Sequence, residues 1–438
     1  MSDQFGPPVD DLAGETERPG RLAFLRGVTV DLTPLRRSRD FRRLWFGSAV
    51  SLLGSMLTTV AIPYQVYQLT GSTFAVGLLG IAALVPLLTI SFLGGAIADA
   101  VDRRLLLILS DLGLAAVSGL LVANAALANP KVWALYAAEA IGTALYAIQR
   151  PAMDALVPRL VGDDQIAQAA AVQGIYSSFG HVGGPAVGGI LIASVGLTAT
   201  YSIDVVTFAA SLVAAALLPK MPPIAAVARP GLRAIAEGFR LVRRKPELKG
   251  IFVVDSIAMV FGMPSALFPA FGDHFGGGAT TVGFLYAAPY AGALIATLLS
   301  GWVTRARRQG LGVCIAATAW GAAIVGFGFS PTLWLALIFL AIAGGADDWS
   351  AILRSTILLT VTPDELRGRL SGIELAQVAS APAVGNLEAG ALASLTSLRF
   401  SVVSGGFLCM AGCWLFVAAA PALLRYDAVQ ARARARAA

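Results

Sequence analysis

Glu139, His181, Asp204, Asp347, Asp348 and Glu374 are titratable side chains set inside long apolar runs of the chain. An ionisable group in such surroundings is costly, and its presence there is a functional hypothesis by default. A carboxyl whose environment alternates between wet and dry binds and releases a proton, which is the chemistry that couples a process to a proton gradient. A structural ion pair is the competing role for each acid. For His181 the competing role is packing between helices. By position in their runs, Asp347, Asp348 and Glu374 lie deepest, Asp204 and Glu139 nearer one surface, and Asp111 and Asp255 nearer the other. Arg150 and Arg354 stand near the ends of their runs, where they can snorkel or pair with acids of the adjacent turns.

The apolar runs dominate the chain. Hydrophobic residues make up 57% of its 438 positions and charged residues only 13%, against roughly 25% charged in ordinary soluble proteins. The mean hydropathy is +0.74. Runs of about 20 apolar residues, enough to cross a hydrocarbon core, fall at 40–69, 73–98, 104–127, 131–157, 163–194, 199–218, 247–272, 280–303, 310–329, 332–360, 364–394 and 399–420. Backbone groups cannot go unpaired in lipid, so each is expected to be a helix. The expected fold is an all-α membrane protein of twelve transmembrane helices.

Charge placement orients these spans. Of the 32 Lys and Arg residues, Lys131 and Arg399 alone fall on one side, which puts both termini in the cytoplasm of a multi-pass protein of the cell membrane. The basic balance then reports topology, and no nucleic-acid partner is needed to explain it. Residues 1–39 are polar and rich in Pro, Gly and Arg, as expected of a disordered tail, and carry no cleavable-signal pattern. Residues 421–438 read as a solvated basic end. Cys314, Cys409 and Cys413 lie in apolar spans and read as packing residues.

Residues 219–246 form the longest interruption and separate two sets of six spans, 40–218 and 247–420. Within it Leu232, Ile235, Phe239 and Val242 share one helical face, with Arg233, Arg240, Arg243 and Arg244 on the others. Such a helix lies on the inner membrane surface against anionic headgroups, or else serves as a plain solvated linker. The two sets resemble each other. PAVGG at 185–189 is echoed by PAVGN at 382–386, and Arg150 before the Pro158 turn is echoed by Arg354 before Pro363. Internal repeats of this kind place a binding site at the midplane between the halves in secondary transporters.

GGAIADAVDRRL, between the second and third spans, resembles the signature turn of the major facilitator superfamily through Gly95, Asp99, Arg103 and Arg104. The family's first basic residue is Ala100 here, and its second glycine is Asp102. The resemblance implies a cytoplasmic latch between the two halves, with Asp99 accepting from a facing helix N-terminus or a cation. GHVGGPAVGG resembles a second motif of the superfamily through Gly180, Gly184, Pro185, Gly188 and Gly189. That motif is associated with exporters that exchange substrate for protons, although small residues pack membrane helices generally. SLLGSMLTTVAIPYQVYQLTGSTFAVGLLG and TVGFLYAAPYAGALIATLLSGW are similar to the branch holding enterobactin exporters and actinobacterial drug-efflux pumps. Many drug pumps of that branch carry an acid where this chain has Ser55.

The resemblance implies a secondary active, proton-coupled exporter of a siderophore or another amphipathic small molecule or drug, working as a monomer by alternating access and needing no cofactor or metal. An importer of a small metabolite uses the same fold. A membrane-embedded enzyme acting on a lipid carrier would need a catalytic cluster, and the sequence has no His/Cys cluster, Gly-x-Ser-x-Gly or phosphate loop. Tyr64, Gln65 and Tyr67, around Pro63, are candidate substrate-lining residues, a kinked packing helix being the alternative.

Overall fold

The computed structural model describes residues 31–222 and 239–427, excluding the side chains of 91–100, 304–305 and 364–365. The described residues are helical with no strand. Helices run between two ends, α5 doubling back on itself and α6 and the short α7 sharing one crossing: α1 (Arg39–Thr70), α2 (Thr73–Ala100), α3 (Arg103–Ala125), α4 (Val132–Val161) and α5 (Ile166–Ala216), then α6 (Pro246–Phe261), α7 (Phe268–His274), α8 (Gly278–Leu298), α9 (Gln309–Gly328), α10 (Leu333–Val361), α11 (Asp364–Leu395) and α12 (Leu398–Ala419). Nine described helical stretches are long and apolar enough to cross a membrane. We call the end holding Arg39 and the 421–427 segment the terminal end, and the other the far end.

The two expected helices, 163–194 and 199–218, are both present as the two arms of α5, which meet where Gly196 (φ 82°) breaks the helix. That positive φ turns the chain back without a loop. Both arms then pack on α1: Gly180, Gly184 and Gly188 lie against Leu52, Met56 and Leu57, and Gly47 lies against Ala214.

The expected helix 247–272 departs the other way and is broken into α6 and α7. Gly262 ends α6, and Pro264, which has no N–H to continue the ladder, precedes a 3-10 turn at Ser265–Leu267. Side chains of neighbouring helices satisfy the freed backbone groups. Trp320 Nε1 donates to the Gly262 carbonyl (3.1 Å). Asn386 Oδ1 accepts from the Ala266 N–H (2.8 Å) and the Ser265 hydroxyl (2.7 Å).

α1–α5 pack among themselves, as do α6–α12, and the two sets meet mainly where α5 lies on α8 and α2 on α11. At the terminal end, residues 421–427 are docked and not solvated. Leu423 is buried against Gly250 and Gly310, and Arg307 pairs with Asp427 (2.7 Å). The linker stretch 223–238 and the tails 1–30 and 428–438 lie outside the described residues, so the amphipathic linker helix is seen only from Phe239. There Phe239, Arg240, Arg243 and Arg244 are exposed, while Leu241 and Val242 pack on the core. Cys314, Cys409 and Cys413 are buried free thiols.

Candidate functional site: the passage between the halves

The two echoed motifs occupy equivalent places at the far end. On α5, a Cβ at Gly189 would stand 2.5 Å from the Ala279 carbonyl oxygen and 2.8 Å from Gly283 Cα, so α5 and α8 meet backbone to backbone. On α11, Asn386 and Ala383 bear on Gly77 and Gly80 of α2 in the same way. The Thr73 hydroxyl closes that second seam by donating to the Gly390 carbonyl (2.9 Å). Small residues permit this approach where there is no hydrophobic force between helices in lipid. The two halves are therefore clamped together at the far end.

One turn and more below the α5–α8 seam, side chains replace glycines. The His181 ring meets Tyr290 of α8 at 5.1 Å across the halves. His181 Nδ1 is 2.7 Å from the Ser177 carbonyl, so this nitrogen donates and Nε2 is left for other partners. Tyr286, one turn before Tyr290, donates to the Ser265 carbonyl (3.1 Å) and stands edge-on to Phe268 of the broken helix (5.0 Å). Tyr286 and Tyr290 carry aromatic surface on the second half's side, with Phe268 buried in the core behind Tyr286.

Glu139 of α4 faces this wall. It is half-buried, close enough to Tyr286 and Tyr201 for electrostatic interaction, and has no hydrogen bond or ion pair among the described residues. Asp347 of α10 is half-buried and likewise without a hydrogen bond or ion pair among the described residues. It lies one turn from Gly344, which abuts the Pro289 carbonyl of α8 beside Tyr290.

Of the other sequence-predicted acids, Asp204 and Asp348 are hydrogen-bonded within one half. Asp204 is buried and accepts from Thr58 (2.8 Å), Ser118 (2.7 Å) and Thr207 (3.3 Å). Asp348 accepts from Thr297 (2.8 Å). Glu374 lies beside Arg354, which forms a buried ion pair with Asp255 of α6. Arg354 thus does not snorkel, and its ion-pair partner among the described residues is Asp255. Gln377 braces that pair, its amide donating to Asp255 (2.9 Å), the Phe252 carbonyl (2.8 Å) and Ser256 (3.0 Å). Its repeat partner Arg150 is exposed, 3.5 Å from Asp154 and hydrogen-bonded to Tyr146. The two arginines have parted in role, because Asp255 on α6 supplies a buried acid for Arg354.

Tyr64 and Tyr67 sit at the far end of α1, near Asp273, with the Tyr64 hydroxyl approaching Gly278. In this conformation they border the clamp. Gln65 is buried and accepts from the Tyr201 hydroxyl (2.9 Å), which fastens α1 to the second arm of α5.

Gly95 and Asp99 lie outside the described side chains. The rest of that turn is anchored on its own half. Arg104 donates to the Ala215 and Ala216 carbonyls at the end of α5, where the helix dipole favours a cation. Arg43 and Arg159 donate to the neighbouring Leu217 and Pro222 carbonyls, and Arg103 is buried. Asp102 caps α3 by accepting from Arg104 N and Leu105 N, and its other oxygen takes the Met221 N–H (3.0 Å). Its cap signal, an acid just ahead of Arg103, Arg104 and the apolar run from Leu105, is readable in the sequence. Asp102→Ala is expected to cost about 1 kcal/mol and to lower the thermal midpoint in detergent. Asp102→Asn should recover most of that loss; an unchanged midpoint in the alanine variant would refute the assignment.

Comparisons with known proteins match this architecture. The transmembrane secretion effector family matches residues 29–436. The enterobactin exporter EntS of Escherichia coli O81 (strain ED1a) is 29% identical over 384 residues, covering 86% of this chain and 91% of the relative. Among solved structures, a variant of nucleoside transporter NupG superposes with a TM-score of 0.73 at 14% identity, covering 87% of this chain and 99% of the other. A bacterial homolog of the human lysosomal transporter Spinster, in an inward-facing and unoccupied conformation, gives 0.65 at 16% identity, covering 90% and 97%. The clamped halves, the repeat that builds the clamp and the match along nearly the whole chain converge: this is a multi-pass membrane protein belonging to the transmembrane secretion effector family of the major facilitator superfamily, a transporter and not an enzyme.

Proposed function

We propose that the protein is a proton-driven exporter of an amphipathic small molecule, in the siderophore or lipophilic-drug range. Twelve spans in two bundles of six, at 40–218 and 247–420, alternate access to a site between them, with both termini in the cytoplasm. In that orientation the far end is the outer end. The observation that carries the reading is the outer clamp with two unpaired carboxyls, Glu139 and Asp347, behind it. Those two are the foremost proton carriers, ahead of Asp204 and Asp348, whose described contacts already hold them, of Glu374 beside Arg354, and of His181. The resemblance to an enterobactin exporter supports the outward direction and the substrate range. The arginines at the cytoplasmic face and on the linker serve anionic headgroups, and the monomer is the working unit. The latch role of Gly95, Asp99, Arg103 and Arg104 belongs to the same reading.

Purified protein in proteoliposomes, oriented by sidedness and loaded with a fluorescent lipophilic dye, tests it. A proton gradient opposing the dye's path should accelerate dye movement several-fold, and collapsing the gradient should abolish the gain. Dye movement indifferent to the gradient would overturn proton coupling. Retention of a siderophore inside iron-limited cells lacking the gene would identify the substrate range.

A further inference from the structure

The two halves finish alike at the terminal end. α5 stops at Ala216 and α12 at Ala419, and in each case the outgoing chain folds back onto the half it has just completed. Two apolar side chains three residues apart fix it there: Leu218 with Met221 in the first half, Leu423 with Tyr426 in the second. Leu218 and Leu423 are 2% and 0% exposed, which is the burial of core residues although both stand beyond the last helix.

Each outgoing segment then grips the turn that carries its half's paired arginines, Arg103 and Arg104 at the start of α3, Arg307 and Arg308 before α9. Neighbouring like charges repel, and acceptors close by relieve them. In the first half the Arg103 N–H donates to the Met221 carbonyl (3.2 Å) and the Met221 N–H to Asp102 (3.0 Å). Arg104 takes the carbonyls that end α5. In the second half the acid has changed sides: Asp427 of the outgoing segment pairs with Arg307 of the turn (2.7 Å). Backbone contact completes this second grip. The Leu423 carbonyl lies against Gly310, the second residue of α9, where any side chain would overlap it, and the Leu423 side chain lies against Gly250 of α6. Alanine is ordinarily favoured over glycine in a helix, so the glycine at 310 answers to this neighbour.

We propose that 217–222 and 421–427 are a repeat-related pair of clasps, and that the C-terminal one is a positioning element for transport. It sets the α8–α9 turn and the terminal ends of α6 and α9, as 217–222 sets the α2–α3 turn. Alternating access moves each half as a body, and a turn loose on its half dissipates that movement. The bearing on transport rests on the exporter reading; the grip on the turn does not.

A cycle of two changes in the purified protein reads the grip: Gly310→Ala, and a stop after Ala420. In the intact chain Gly310→Ala should lower the thermal midpoint by several degrees, because the Leu423 carbonyl must give way. In the chain stopped after Ala420 the same substitution should leave the midpoint unchanged or raise it. Equal shifts in both backgrounds would mean that the two sites are independent, which overturns the proposal. Leu423→Ala is a milder change that keeps the full chain. It should speed amide exchange at 246–252 and 300–310 at least tenfold and leave 100–106 at the wild-type rate, and Leu218→Ala should do the reverse. Exchange raised at both turns alike, or at neither, overturns it too. A stop after Asp427 keeps the clasp and should match the wild type; damage equal to that of the stop after Ala420 would move the effect outside 421–427.

Dye movement in proteoliposomes completes the test. Leu423→Ala should lower the maximal rate at least fivefold with the half-saturating dye concentration unchanged. A raised half-saturating concentration at full maximal rate, or wild-type movement despite fast exchange, refutes the positioning role. Wild-type protein that moves no dye refutes the exporter reading alone, and the exchange pattern still decides the clasp.

Discussion

Gly283→Leu is expected to abolish transport while leaving the protein inserted and folded. A Cβ at Gly283 would stand 2.5 Å from the Pro185 carbonyl oxygen and 2.8 Å from Gly189 Cα. Both neighbours are backbone, so no rotamer change relieves the clash. Overpacking of this kind costs about 1–3 kcal/mol, and more where the surroundings cannot give. Here the halves can give by separating, so the cost falls on the clamped state alone. A bias of about 3 kcal/mol shifts a two-state population more than ~100-fold. Spin labels on the far-end turns of the two halves should report a longer distance in the variant than in the wild type. Gly283→Ala should show the same shift to a smaller degree. A leucine variant that transports normally with an unchanged far-end distance would mean the seam is not a gate.

Removing one partner of the Asp255–Arg354 pair should be the most damaging change to stability. The side chains are 6% and 12% exposed, and leaving one buried charge uncompensated costs about 3–5 kcal/mol. Asp255→Leu and Arg354→Met are each expected to lower the thermal midpoint sharply or to prevent recovery of folded protein. The double variant should regain much of the loss, because two apolar side chains leave no charge behind. Gln377→Leu should cost about 1–3 kcal/mol, since the Asp255 carboxylate and two further acceptors lose one amide. A midpoint series in detergent settles the order; a double variant worse than either single would show that the pair acts otherwise.

The sequence announces helices well and their interruptions poorly. Apolar runs long enough to cross a bilayer are a one-dimensional property, and most appear in the structure within a few residues of their expected bounds. The break between α6 and α7 was not expected, because a window over 247–272 stays apolar whether or not the helix continues. Gly262 and Pro264 mark the place, but only Trp320 and Asn386, 58 and 121 residues away from the groups they bond, make the break affordable. At Gly196 the two expected spans are present, and one positive φ turns the chain from the first into the second. The site divides in the same manner. The acids were visible as charges in apolar runs, while their grading into paired and unpaired was not. Asp204 is satisfied by hydroxyls of α1 and α3 as well as its own helix, and Arg354 by an acid about a hundred residues earlier in the chain. Such partners come from packing, and no spacing rule encodes them.

The PAVG echo ends in glycine in one half and asparagine in the other, and this single difference makes the clamp mechanically unequal. Between Gly189 and Gly283 two bare backbones face each other, a smooth bearing along which the helices can slide without any side chain changing rotamer. On the opposite seam, the helix that touches Gly77 also holds the severed end of α7 through Asn386. Any displacement of the 265–266 turn is therefore transmitted to α11 through Asn386. The far-end closure has a passive side and a driven side.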